Sequence, residues 1–316
     1  MERGKVIEWL LDESQPSVRY KCLKELLDKP PDDPEVVNTY SLISTKGWVP
    51  SILELKNLEG CVESNNTFYN PKYISMIWKL LVLADLGLTK DNSYMKTSCE
   101  LFIKEYSKPD GGFGSPEWEG SHFCTTGNLA RALIQAGYSE NTFVLKALDW
   151  LIEHQKEDGG WNCFESSSGT LDCWEALSAF NAMSKSSWSR RIKRSVERGV
   201  EFYLEKQLYL EGDVYDPWLR FHYPVHYYYD LLLGLDLVTS LGYGDDNRLV
   251  NAINILYKKR NSDGNWNLDS NHPDLPEGIY YKLSPPVYPL VLEEDGMPSK
   301  LITLAALKVL KCVNNN

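Results

Sequence analysis

One short phrase recurs along the chain at long intervals: Asp110-Gly111-Gly112-Phe113, Asp158-Gly159-Gly160-Trp161 and Asp263-Gly264-Asn265-Trp266. Each closes a helix-like run: ELFIKEYSKP, ALDWLIEHQKE and AINILYKKRNS respectively. Degenerate copies are ILELKNLEGC, ending at Cys61, and RGVEFYLEKQLYLEGD, ending near Asp213. The interval between copies is about 50 residues, the length of a two-helix repeat. Such a unit cannot bury its apolar face alone, so the copies must stack on one another.

A more apolar run follows each copy. These runs are PKYISMIWKLLVLADLG (71–87), CTTGNLARALIQAGY (124–138), DCWEALSAFNAM (172–183), PVHYYYDLLLGLDLVTSLG (224–242) and SKLITLAALKVL (299–310), with SVRYKCLKELL (17–27) as a sixth. The intervening runs, such as SRRIKRSVERGVEFYLEKQ, carry charge on one face. Helices apolar around most of their surface are buried, and helices with a single stripe sit outside. The alternation therefore predicts an all-α fold with about six inner helices inside five to six outer ones. No region alternates with period two, so no substantial sheet is expected. The Pro-rich interval 262–297 reads as an ordered cap or loop. One domain spanning 1–316 accommodates the whole pattern.

The net charge of −11, with no basic run, argues against nucleic acid as a partner. No apolar stretch reaches the length of a membrane span, and the start MERGKVIEWLLDESQ is too charged for a signal peptide. A cytoplasmic location is expected. The seven cysteines are odd in number and scattered, which predicts reduced thiols rather than a disulfide framework.

The segment KALDWLIEHQKEDGGW resembles the QW motif of squalene and oxidosqualene cyclases through Lys146, Ala147, Trp150, Leu151, Gln155, Gly159 and Trp161. Arg198, Gly199, Phe202 and Gln207 match its first half again, and Ala252, Gly264 and Trp266 match a third copy loosely. DGGFGSPEWEGSHFCTTGNLARAL also resembles a repeat of protein prenyltransferase β subunits. The resemblance implies an α/α toroid in which the Gln and Trp tie neighbouring outer helices together. It also implies an isoprenoid or other apolar substrate in the central cavity, zinc in the prenyltransferase branch, and a partner subunit there. Bacterial squalene cyclases protonate an alkene with the middle Asp of DxDD, and no DxDD occurs in this chain. Asp32-Asp33-Pro34-Glu35 lies in a Pro-rich turn and is no substitute. The prenyltransferase zinc pattern, Asp-x-Cys with a later His, is approximated by the adjacent pair Asp172-Cys173 and by His226.

Inner helices running in one direction would gather their N-termini at one mouth. Tyr73, Cys124, Asp172, Cys173, His226, Tyr227 and Ser299 occupy those starts, with Cys163 nearby. Cys124, Cys163, Cys173 and His226 suit tetrahedral zinc; the alternatives are packing cysteines or a reactive thiol. Asp172, His226 and Asp230 are the catalytic candidates, His226 and Asp230 being one helical turn apart if the helix begins at Pro224. A satisfied inner-helix pair is the plainer reading of that spacing, as a capping box is of Asp172 and Glu175. His222 precedes the helix in this register. Tyr73, Trp78, Trp174 and Tyr227 are candidates to line an aromatic cavity. Three functions stay open: an isoprenoid-handling enzyme, a non-catalytic toroid that binds a lipid, peptide or protein, and a metal-dependent lyase or hydrolase.

Overall fold

The computed structural model describes residues 2–54, 75–164, 166–209, 215–226, 228–271 and 291–314. Tyr73, Tyr227 and Cys61 lie outside the described residues, as does most of the Pro-rich interval.

Two layers of helices alternate along the chain. The outer layer holds α1 (Glu2–Leu10), α4 (Trp48–Glu54), α6 (Ser93–Tyr106), α8 (Thr142–Glu153), α10 (Arg190–Glu205) and α12 (Val250–Lys258), with α3 (Pro34–Leu42) as an addition that sequence periodicity missed. The inner layer holds α2 (Pro16–Lys21, continued in wider turns over Cys22–Leu26), α5 (Met76–Asp85), α7 (Phe123–Gln135), α9 (Glu175–Ala182), α11 (Leu231–Val238) and α13 (Lys300–Asn314). Among the described residues the only ladder is a two-residue antiparallel pair, β1 (Trp266–Asn267) with β2 (Pro298–Ser299).

Local chemistry sets the helix starts. Asn92, Asn141 and Ser189 accept from backbone N–H groups in the first turns of α6, α8 and α10, which satisfies donors that a helix start otherwise leaves open. Asp33 does the same for α3 and has Pro34 behind it in the first turn. Burial follows the two-layer logic. Every residue from Ile77 to Ala84 of α5 is buried, whereas α10 buries Ile192, Ser195, Val196, Gly199, Val200, Phe202 and Tyr203, a single stripe.

The recurring phrase forms one turn three times. Gly111, Gly159 and Gly264 have φ of +103, +91 and +88, a region glycine enters freely. At Gly159 an added Cβ would also lie 2.3 Å from the carbonyl oxygen of Arg198. The turn closes with Lys108 N–H on Gly112 O, Lys156 N–H on Gly160 O and Asn261 N–H on Asn265 O, at 3.0, 2.9 and 2.9 Å. Each turn then delivers a buried aromatic. Trp161 Nε1 donates to Leu151 O and Trp266 Nε1 to Leu256 O, both at 2.8 Å and both ten residues back. Gln155 Nε2 donates to Ser195 O at 2.9 Å and Arg198 Nη1 to Gln155 Oε1 at 3.3 Å, tying α8 to α10.

Neighbouring inner helices pack start to start and end to end, so they run in one direction. Gly127 of α7 packs so closely on Glu175 of α9 that an added Cβ would lie 2.6 Å from it. Asp85 at the end of α5 meets Arg131 near the end of α7 at 2.6 Å. The ring closes where α13 meets α2. Lys311 there donates to Asp28 at 2.5 Å and to Glu25 O at 3.0 Å. On the other side of α2, the Tyr20 ring lies 3.7 Å from where a Gly87 Cβ would stand, just past α5. The architecture is an all-α, toroid-like double layer.

Two inner helices begin later than their apolar runs predict. The run from Pro224 becomes helical only at Leu231, because Asp230 has extended backbone and caps α11, its Oδ1 accepting from Leu233 N–H at 2.8 Å. The run from Asp172 becomes helical only at Glu175.

Candidate functional site: the central cavity

A cavity of about 300 Å³ lies within the inner layer and is lined by residues from all six inner helices. One end is built from charged side chains of the inner helices. Arg131 pairs with Asp85 at 2.6 Å, reaches Asn128 Oδ1 at 3.2 Å and faces the Trp174 ring with its carbon 5.2 Å from the centroid. Lys308 pairs with Asp236 at 2.9 Å and approaches Glu25 at 3.8 Å. Burial disfavours the Lys308 ammonium, but Asp236 and Glu25 outweigh it and hold the pKa above the ordinary lysine value. These pairs neutralise one another, so the cavity floor is polar without a large net charge.

Toward the helix starts the lining changes to Trp174, Tyr223, Asp230 and His222. His222 is 1% exposed. Its Nδ1 stands 2.6 Å from Oδ2 of Asp230, a close contact outside hydrogen-bond geometry, and neither ring nitrogen has a hydrogen-bond partner among the described residues. The same carboxylate oxygen accepts the His222 backbone N–H at 3.0 Å, while Oδ1 caps α11. Asp230 is therefore held from three directions and cannot turn away from the imidazole.

This corrects the expected His226–Asp230 pair. Asp230 partners His222 across the loop that precedes α11, and His226, with φ +48, lies edge-on to Trp78 with ring centroids 5.3 Å apart. The helix does not span both residues, so the i, i+4 argument fails. Asp172 is likewise no N-cap. Its Oδ1 accepts from Trp218 Nε1 at 3.0 Å, and the expected capping box with Glu175 is not formed. Of the aromatic candidates, Trp174 lines the cavity. Trp78 is buried on α5 against His226 and is not among the described lining residues.

The structure does bring the three cysteines together. The Cys173 thiol donates to Cys163 Sγ at 3.6 Å, and Cys124 shares a thiol hydrogen bond with Cys163. The thiol partner and burial push Cys124 up. At Cys163, Cys173 and burial outweigh the lowering effect of Cys124, and burial likewise raises Cys173. Beside them Glu175 is 1% exposed, and neither carboxyl oxygen has a hydrogen-bond partner among the described residues. Burial, reinforced by the Cys124 neighbour, raises its pKa well above the usual carboxylate value. Among the described residues no group of three or more His, Cys, Asp or Glu side chains is arranged to hold a metal ion.

Sequence periodicity missed His222, Arg131, Asp85, Asp236, Lys308 and Glu175. A usable signal existed for four of them: a charge inside each of the largely apolar runs of α5, α7, α11 and α13. A charge placed in a buried helix needs a partner.

Residues 74–213 match the family model of the squalene-hopene cyclase C-terminal domain, a little under half of the chain. The matched region includes the QW-like copies at Lys146–Trp161 and Arg198–Gln207. Solved structures similar to the chain include the type II terpene cyclase MstE from Scytonema. Its complex with geranylgeranyl dihydroxybenzoate gives a TM-score of 0.46 at 16% identity, covering 96% of this chain and 88% of that one. The apo form gives 0.42 at 16% identity with the same coverage. No match was found among curated proteins. Among the described residues no helix is long and apolar enough to cross a membrane.

Proposed function

We propose that this chain is a terpene-cyclase-like enzyme that takes an isoprenoid, or a comparable apolar substrate with a polar head, into the central cavity. The observation that carries this reading is the His222–Asp230 pair. A buried imidazole lines the cavity with one nitrogen against an anchored carboxylate and the other without a partner. In that arrangement Asp230 holds the ring in place, and Nε2 takes up or releases a proton at the substrate. A positioned acid–base group accounts for about 100- to 10,000-fold in rate. The Leu residues of α11 and α13 and the indole of Trp174 supply apolar and aromatic contacts. An aromatic face stabilises a nearby cation by about 0.5–2 kcal/mol. The paired charges at the other end suit a hydroxyl, carboxyl or phosphate head better than a hydrocarbon terminus.

The chain has no DxDD, so the proton chemistry is assigned to His222 rather than to an aspartic acid that protonates an alkene. The test is to incubate purified protein with farnesyl and geranylgeranyl diphosphates and their alcohols, and to analyse extracts by gas chromatography with mass spectrometry. Products that disappear in His222→Ala, with the circular dichroism spectrum retained, support the reading. Binding of these compounds without turnover by the wild type would favour the non-catalytic toroid, for which a cavity floor already neutralised by its own ion pairs is the supporting observation.

A further inference from the structure

We propose that Cys163 and Cys173 form a redox-modification site, a dithiol that a low-molecular-weight disulfide converts to an internal disulfide. Their sulfurs are 3.6 Å apart, and a disulfide requires about 2.05 Å. The remaining gap is small, and one partner is placed to close it. Cys173 is buried directly before Trp174 and α9, whereas Cys163 lies half-buried in a loop whose next residue, Phe164, is 78% exposed.

The loop is already pinned at its base. Thr170 N–H donates to Trp161 O at 2.9 Å, Asn162 Nδ2 to Ser168 O at 2.9 Å, and Gly169 N–H to Asp158 Oδ2 at 2.8 Å. Closing the ring of residues 163–173 therefore orders little that is not already ordered, and loop-closure entropy opposes the bond weakly. Cys124, at the start of α7, shares a hydrogen bond with Cys163 and gives the set a competing partner.

The chemistry balances as two exchange steps. The Cys163 thiolate attacks one sulfur of RS–SR and expels the other as RS⁻, giving a mixed disulfide between Cys163 and the attacked RS. The Cys173 thiolate then attacks Sγ of Cys163, expelling the second RS⁻. The protons from the two thiols end on the two released thiolates, so the net change is protein dithiol plus RSSR to protein disulfide plus two RSH. The bond would staple the Trp161 turn to the residue before Trp174, a residue that lines the cavity. All three thiols are held above the ordinary cysteine pKa, so exchange should be slow near neutrality and quicken about tenfold for each pH unit, as the thiolate fraction grows.

The test uses the full-length reduced protein and oxidised glutathione, at about pH 7 and about pH 8, with quenching by iodoacetamide and tryptic mass spectrometry. Cys163 and Cys173 lie in one tryptic peptide, from Glu157 to Lys185. The expected product is that peptide lacking two hydrogens and both alkyl groups, formed about tenfold faster at the higher pH. It should also form in Cys124→Ser, and should be lost in Cys163→Ser. Persistent single glutathione adducts, a Cys124–Cys163 cross-link as the main product, or no oxidation of native protein while urea-unfolded protein oxidises would each overturn the proposal. The wild-type peptide mass decides the matter even if a variant fails to fold.

Discussion

Asp230 stands with Oδ2 2.6 Å from Nδ1 of His222, and its other oxygen accepts the backbone N–H of Leu233 at 2.8 Å. One buried carboxylate thus caps an inner helix and orients a cavity imidazole. Asp230→Ala removes both functions and leaves the His222 backbone N–H without its acceptor. Losing an N-cap costs about 1 kcal/mol, and stranding a buried donor about 1–3 kcal/mol. Urea denaturation should show a loss of about 2–4 kcal/mol. Asp230→Asn keeps an oxygen for the cap and should retain more than half of that stability. Equal losses in both variants would show that the carboxylate's acceptor roles do not stabilise the fold.

Trp161 and Trp266 stand in equivalent turns, and each donates its indole N–H to a carbonyl ten residues earlier. Both are completely buried. Truncating a buried Trp typically costs about 3–5 kcal/mol. Trp161→Ala and Trp266→Ala should lower the melting temperature by similar amounts, because they break the same junction in two copies. Scanning calorimetry that finds one loss marked and the other negligible would show that the repeats are not energetically equivalent.

Burial raises the Glu175 carboxyl, so its folded pKa lies above the ordinary 4.5. Below that value both folded and unfolded states carry the proton, and the group has no effect on stability. Above it the unfolded chain ionises while the folded chain does not. Stability then falls by about 1.4 kcal/mol per pH unit until the folded pKa is reached. Glu175→Gln removes this slope. The stability difference between variant and wild type should shift in favour of the variant as pH rises above the ordinary carboxylate value, as read by urea unfolding at a series of pH values. A difference that is flat across that series would contradict a raised Glu175 pKa.

The two-layer fold was legible because apolar periodicity is averaged over many residues. The runs at 17–27, 124–138 and 299–310 became α2, α7 and α13 within a residue or a few at each end. The site was less legible because it depends on where two helices begin. Pro224 reads as a helix first turn, yet the described residues Val225, His226 and Tyr228 to Asp230 are not helical, and the Asp230 side chain makes the cap. That shift of register exchanged His226 for His222 as the partner of Asp230. It also separated Asp172 from the capping role its spacing suggests. The three thiols lie together because their placement depends on topology, which parallel inner helices dictate, rather than on register.

The central claim is that the cavity holds an isoprenoid chain beside Trp174 and His222. Isothermal titration of the purified protein with farnesol and geranylgeraniol tests it most directly, with Trp174→Ala and His222→Ala alongside. The account predicts saturable one-to-one binding by the wild type. Trp174→Ala should weaken that binding at least about tenfold, the equivalent of about 1.4 kcal/mol, while both variants retain a cooperative thermal transition. Absence of binding to the wild type, or binding that neither substitution alters, would contradict it.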